Sequence, residues 1–354
     1  MSHELLFFGG FILFIILMLA IDLGLFAKDN KPISLQSATI MSLVWITFAL
    51  GFGLILYFWG HELHSITDFA SLKEVINRHS HNIEVIENNF DQSIALYNRN
   101  LSLEYLTGYV VEYALSVDNI FVMVLLFSSF GIPEKYYHKI LVWGIIGAIL
   151  LRCIFIFIGA ALIAKFGWIL YLFGAFLVYT GIMMYIKRNE EEEVDPKSHP
   201  VVKFASKYFK VTHETESGNF FDIKNGVRYM TPLFLVLLVI EFTDLIFAVD
   251  SIPAIFSVTQ DPYIVFFSNI FAVLGLRSMF FLLVNIIHKF HYLKVGLAFL
   301  LVFIGVKMLL HDWLHSWGFE TIHSLIVIIG ILAVSIIASL VFPKKVEGNP
   351  MSRP

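Results

Sequence analysis

Residues 234–256 read FLVLLVIEFTDLIFAVDSIPAIF, and the class of the chain turns on them. The stretch is long enough for one bilayer crossing, which takes about 17–25 mostly apolar residues as helix. Yet it holds three carboxylic acids, Glu241, Asp244 and Asp250. A charged side chain at the bilayer centre costs about 2.5–3.5 kcal/mol on an insertion scale. These acids must therefore face inward, toward protein partners, water or ions.

The rest of the chain has the same character. Of 354 residues, 58% are hydrophobic and only 15% charged, with mean hydropathy +0.79; a soluble domain averages about 25% charged. An all-α, polytopic membrane helix bundle follows. Nine spans of sufficient length lie near 5–27, 38–60, 103–130, 138–162, 166–186, 230–258, 262–287, 294–310 and 320–342. The first lacks the basic start and small-residue cleavage site of a signal peptide and is kept as a span. Lys28, Lys31, Lys135, Lys139, the many bases of 187–229, Lys289, Lys294, Lys344 and Lys345 all fall on one side if the N-terminus is outside. The positive-inside rule then places the C-terminus in the cytoplasm of a multi-pass plasma (inner) membrane protein. The net charge of −4 adds little. The single cysteine, Cys153, cannot form an intrachain disulfide.

Six regions result: two N-terminal spans (1–60), an extracytoplasmic insert (61–102), a first membrane unit (103–186), a polar cytoplasmic insert (187–229), a second unit (230–310), and a last span with a cytoplasmic tail (311–354). The helical spacing of LKEVINRHSHNIEVIENNF suggests a helical hairpin lying on the outer surface. LSVDNI at 115–120 resembles FAVDSI at 247–252, with Glu112 upstream of one and Glu241 of the other, and Arg152 and Arg277 in the spans that follow. Three spans per unit would insert the copies with opposite topology, as in secondary transporters whose site lies at the midplane between repeats.

Five membrane acids (Glu112, Asp118, Glu241, Asp244, Asp250) face three bases (Arg152, Arg277, Lys307), leaving a negative surplus for protons or a bound cation. In a straight helix Asp250 lies on the far side from Glu241 at about 100° per residue. Pro253 suggests a helix broken around Asp250–Pro253, turning Asp250 and Ser251 toward Asp118 and Asn119. Oxygen ligands of this kind suit Mg²⁺, Ca²⁺ or Mn²⁺. The competing reading is that the acids pair with Arg152, Arg277 and Lys307 and only hold helices together. Asp22 is either a further pathway acid or a helix-end residue.

Other signals are weaker. His61, His64, His79, His81, His311, His315 and His323 all fall on the outer side; they are either ordinary interfacial histidines or a peripheral metal-capture site. No phosphate loop, dinucleotide fingerprint, nucleophilic triad or basic nucleic-acid patch is present. A hydrolase using paired carboxylates has nothing more in its favour, and no enzyme activity or bound cofactor is expected.

TGYVVEYALSVDNIFV at 107–122, FLVLLVIEFTDLIFAVDSIPAIF, SNIFAVLGLRSMFFLL at 268–283, HYLKVGLAFLLVFIGVKMLL at 291–310 and NGVRYMTPLF resemble the TerC family of integral membrane proteins. The resemblance covers nearly the whole chain except 61–102. It implies kinship with LysE-type transporters and links to manganese efflux and tellurite resistance. The family's membrane acids fall on Glu112, Asp118, Glu241, Asp244 and Asp250, beside Asn119 and Ser251; Asp22 and Arg277 also match patterned positions. Several relatives carry lysine where this chain has Tyr113, which removes an internal counter-charge.

The expected function is a secondary transporter exporting divalent cation, manganese first and Ca²⁺ or Mg²⁺ next, with protons as the candidate counter-ion. The rival is a non-transporting membrane scaffold of a metal or tellurite response that recruits protein partners through 187–229.

Overall fold

The computed structural model describes residues 3–26, 34–188, 199–212, 218–284 and 292–342, apart from 82, 84, 87, 88 and 225; the side chains of 3–6, 21–26, 311, 312 and 315 also lie outside the description. Asp22 is among the latter. Twelve α-helices are present in the described residues: α1 (His3–Phe26), α2 (Leu35–Leu63), α3 (Phe69–His79), α4 (Phe90–Ser129), α5 (Tyr137–Lys165), α6 (Ile169–Ile186), α7 (Pro200–Tyr208), α8 (Pro232–Phe256), α9 (Pro262–Val284), α10 (Leu293–Leu309), α11 (His311–Ser316) and α12 (Thr321–Val341). Seven of them are long and apolar enough to cross a membrane: α2, α4, α5, α6, α8, α9 and α12. The chain is an all-α polytopic membrane bundle. Its α1 contributes a shorter apolar stretch, Phe7–Ala20, and α10 is one residue below the length of the shortest of the seven.

The helix α9 is the axis of the bundle: 83% of its apolar window is buried, against 22% for α5 and for α12. It starts at Asp261, whose side chain accepts from the Tyr263 amide, with Pro262 fixed at the first helical position. Around it, α4 packs on α9 and α5 on α8, while α4–α8, α5–α9 and α6–α10 also meet. A two-fold exchange of the triplets α4–α6 and α8–α10 would produce this pairing. Lipid chains are as apolar as leucine, so helix association here relies on close packing rather than on the hydrophobic effect. The α6–α10 contact shows it. A Cβ at Gly181 would lie 2.7 Å from the Ala298 carbonyl oxygen, and one at Gly305 would lie 2.6 Å from that of Gly174.

Three expectations change. First, α8 is not broken: it runs helically through Asp250–Pro253 to Phe256. Proline removes one N–H and crowds the carbonyl four residues back. Pro253 stands only three residues from the helix end, and Ser257 closes the last turn through its amide to the Pro253 carbonyl and its hydroxyl to that of Ala254. Second, the 61–102 insert has the two expected helical stretches, but the second is continuous with a membrane helix rather than set apart. Its first half is α3, capped by a reciprocal Asp68–Ser71 pair and burying Leu72, Val75 and His79; its second half is the start of the 40-residue α4. Third, the 187–229 insert carries a short β-hairpin besides α7. Strands β1 (Phe221–Lys224) and β2 (Val227–Met230) pair antiparallel, with Gly226 at φ +75° in the turn.

Candidate functional site

The centre of the bundle is a buried charge cluster. Arg152 of α5 is fully buried and lies between two carboxylates. Its Nε and Nη2 donate to both oxygens of Asp244 on α8, at 3.1 and 2.8 Å, a bidentate arrangement. Its Nη1 donates to Glu112 Oε1 on α4 and, at 3.2 Å, to Asn269 Oδ1 on α9. Four helices thus meet at one guanidinium. One guanidinium directly contacts two carboxylates, and the next buried guanidinium, that of Arg277, shares a small cavity with Asp244. Asn269 Nδ2 lacks a hydrogen-bond partner among the described residues, and Glu112 Oε2 and Ser251 Oγ have none there apart from each other. Ser251 sits beside the Glu112 carboxylate.

Helix geometry explains which residues join. Seven residues turn a helix through nearly two full turns, so Asp244 and Ser251 share a face of α8, and Glu112 and Asn119 share one of α4. All four are buried. Asp250 and Asp118, each one position earlier, are turned about 100° off those faces and are half-buried. Asp250 accepts from Thr180 Oγ1 of α6 at 3.3 Å. Glu241 lies against α5, where Gly147 makes room for it: a Cβ there would collide with the carboxylate. Its Oε2 has no partner among the described residues. Because α8 stays straight, Glu241 and Asp250 occupy opposite sides of it, and the acids do not gather around one point. Among the described residues no three of the membrane acids come close enough to share an ion.

The repeat register also shifts. Glu112 precedes Asp118 by the same six residues by which Asp244 precedes Asp250, and Glu112 and Asp244 are the two acids that share Arg152. Asp244, not Glu241, is therefore the counterpart of Glu112.

The expected bases divide. Arg152 is the cluster's counter-charge. Arg277, also buried, has its Nη1 3.1 Å from His138 Nε2 on α5. A cavity of ≈ 20 Å³, about the space of one water, joins Arg277 to Asp244, lined also by Gly144 and Ala148. Lys307 is far from the cluster: it donates to the Ser257 carbonyl at 3.1 Å and helps line a ≈ 410 Å³ cavity at the end of the bundle where the 61–102 insert sits. Sequence reasoning missed Asn269, Thr180 and Gly147. Nothing in the composition of their segments marks them, because each matters only through what lies across a helix interface.

That same end holds a second buried polar group. His64 Nε2 and Asp261 Oδ2 are 2.8 Å apart, and both side chains have no exposed surface. The His79 ring lies 5.0 Å from that of His64 and 5.8 Å from that of His81. His81 Nδ1 is 3.0 Å from Glu104 Oε1, which also accepts from Asn100, while Glu104 Oε2 accepts from Thr259 at 2.6 Å. Burial would raise the Asp261 carboxyl, but His64, His79 and His81 together hold it well below the usual carboxylate range. Burial lowers His79, only partly offset by Asp261. His81 is also opposed by burial, yet Glu104 raises it.

A many-pass bundle with charges shared between its central helices defines a membrane protein of transporter-like build. The family described as "Integral membrane protein TerC family" matches residues 97–347, and the chain belongs to it. It is 42% identical over 333 residues to the Salmonella typhi protein named "Putative membrane-bound redox modulator Alx", covering 94% of this chain and 93% of that one. The Escherichia coli K12 protein of the same name is 41% identical over the same shares. An uncharacterized membrane protein of Myxococcus xanthus is 40% identical, with 94% of this chain and 91% of the relative covered. No solved structure matches.

Proposed function

We propose that this chain is a secondary transporter that exports divalent cations, Mn²⁺ foremost, across the inner membrane, with the cargo ion competing with Arg152 for Glu112 and Asp244. The observation carrying this reading is that two buried carboxylates from different helices share one guanidinium, Arg152, in direct contact. Breaking a buried ion pair by removing one partner costs about 3–5 kcal/mol, because a bare charge remains. A second cation arriving at the shared carboxylates meets no such cost. Glu112 and Asp244 would supply anionic oxygens, with Asn269 Oδ1, Ser251 Oγ and Asn119 as neutral ones. Oxygen-only ligation suits Mn²⁺, Ca²⁺ and Mg²⁺ alike; the preference for Mn²⁺ rests on the family resemblance.

Asp118, Asp250 and Glu241, half-buried outside the cluster, would relay the ion or a proton toward it. The N-terminus lies outside and the C-terminus in the cytoplasm, as the distribution of lysine and arginine favours. The relatives' printed name speaks of redox, but with Cys153 as the only cysteine this chain cannot cycle an intrachain dithiol. No enzymatic role is proposed.

The test is Mn²⁺ flux into proteoliposomes containing a metal-sensitive dye. The wild type should transport, while Asp244→Asn and Glu112→Gln should fall to the level of empty vesicles with unchanged elution from a sizing column. Wild-type flux no greater than that of empty vesicles would favour the scaffold reading, with 187–229 as its docking element.

A further inference from the structure

We propose that His64, His79 and Asp261 form a binding site for a single borderline first-row dication of the Zn²⁺ class, separate from the membrane acids and independent of the transport reading. One ligand atom from each of the three residues can be chosen so that all lie within 4.8 Å of one another, and all three residues are buried. A metal with bonds near 2.0–2.1 Å draws its ligands to similar mutual distances after small side-chain adjustments. Mixed imidazole and carboxylate donors favour such a cation over the hard ions that oxygen-only sites take.

The neighbouring His81 lies outside that set of mutual distances and would have to swing in to complete a fourth position. His81 is buried, its Nδ1 is engaged by Glu104, and its Nε2 has no partner among the described residues. A carboxylate on one imidazole nitrogen is the arrangement that fixes the tautomer and leaves the other nitrogen to a metal. Glu104 is itself held by Asn100 and Thr259, so the orienting carboxylate is anchored from two segments.

Local backbone supports the same assembly. Among the described residues, only Ser65 (φ 54°) and Ser80 (φ 52°) combine a positive φ with a side chain. Ser65 directly follows His64, and Ser80 lies between His79 and His81. A left-handed residue other than glycine costs about 1–2 kcal/mol, and both occur where the chain reverses next to a cluster histidine. The consequence of binding is mechanical. The ligands come from the end of α2 (His64), the end of α3 (His79) and the N-cap of α9 (Asp261), so one ion would staple the insert helix to the central helix of the bundle.

The experiment titrates Zn²⁺ alone against the purified full-length protein in detergent, in competition with a chromophoric chelator. The wild type should bind one Zn²⁺ tightly. His79→Gln, which leaves the His64–Asp261 hydrogen bond intact, should weaken binding at least tenfold, and Asp244→Asn should leave it unchanged. Co²⁺ loading provides a second readout: the wild type should give the intense visible absorption of a four-coordinate ion, lost in His79→Gln. Equal Zn²⁺ affinity in wild type and His79→Gln would overturn the proposal, as would a wild type whose Co²⁺ spectrum matches the aqueous ion. Transport failing in the proteoliposome assay while His79-dependent Zn²⁺ binding persists would leave this site standing without the transporter reading.

Discussion

The two buried polar clusters balance charge in opposite ways. At the centre, one guanidinium, that of Arg152, serves both Glu112 and Asp244. At the insert end, Asp261 and Glu104 each have their own histidine, and Glu104 has two further donors. A cluster in which two carboxylates share one base is suited to exchange its cation; one in which each carboxylate has its own basic partner is better suited to hold structure. On the proposed function, the first would carry the traffic and the second would anchor.

The largest effect should come from removing the shared counter-charge. Arg152→Ala leaves two buried carboxylates facing each other and should cost about 3–5 kcal/mol, the usual penalty for breaking a buried ion pair, read as a lower unfolding temperature in detergent. Adding Asp244→Asn should recover part of that loss. If Arg152→Ala is as stable as wild type, Arg152 is not the counter-charge that holds the central cluster together. Next comes the α6–α10 seam, where Gly305→Val would push against the Gly174 carbonyl oxygen and the Val178 backbone. Overpacking of this kind costs about 1–3 kcal/mol or more, and the same unfolding measurement should register it.

Gly147→Ala is expected to be smaller in stability but clear in function, because the added methyl occupies the place of the Glu241 carboxylate. Mn²⁺ flux should drop severalfold with the unfolding temperature close to that of wild type; unchanged flux would remove Glu241 from the pathway. Glu104→Gln should cost about 1–3 kcal/mol, the range for a buried group left short of a partner, and the His81 resonances should respond in a histidine NMR spectrum.

The smallest effect concerns α3. Asp68 is held below the usual carboxylate range by the Ser71 amide. Its contribution is therefore present above the ordinary carboxylate pKa and lost as pH falls through its own lower value. Protease cleavage within 69–79 should rise on Asp68→Ala at neutral pH, and in the wild type only in strong acid.

How much of this could be read in the sequence follows from the range of each interaction. Spans are legible because apolar length is a local property, and acids in oil mark α4 and α8 as helices that bury charge. The inward face followed from cost alone. The straightness of α8 was misread, since Pro253 matters only relative to where the helix ends. The central partner set was half visible: Arg152 stood out as a charge in a span, but Asn269 looks like any polar residue in an apolar helix. The second cluster was the least legible. Its histidines are visible individually, yet Asp261 reads as an ordinary Asp-Pro helix start, and it stands 197 positions along the chain from its partner His64.

The most direct measurement is a Mn²⁺ binding isotherm of the purified protein in the His79→Gln background, which isolates the membrane cluster, with and without Asp244→Asn. A saturable Mn²⁺ site is predicted in His79→Gln that disappears when Asp244→Asn is added. An isotherm that does not change on adding Asp244→Asn would contradict the assignment of cation exchange to the carboxylates around Arg152.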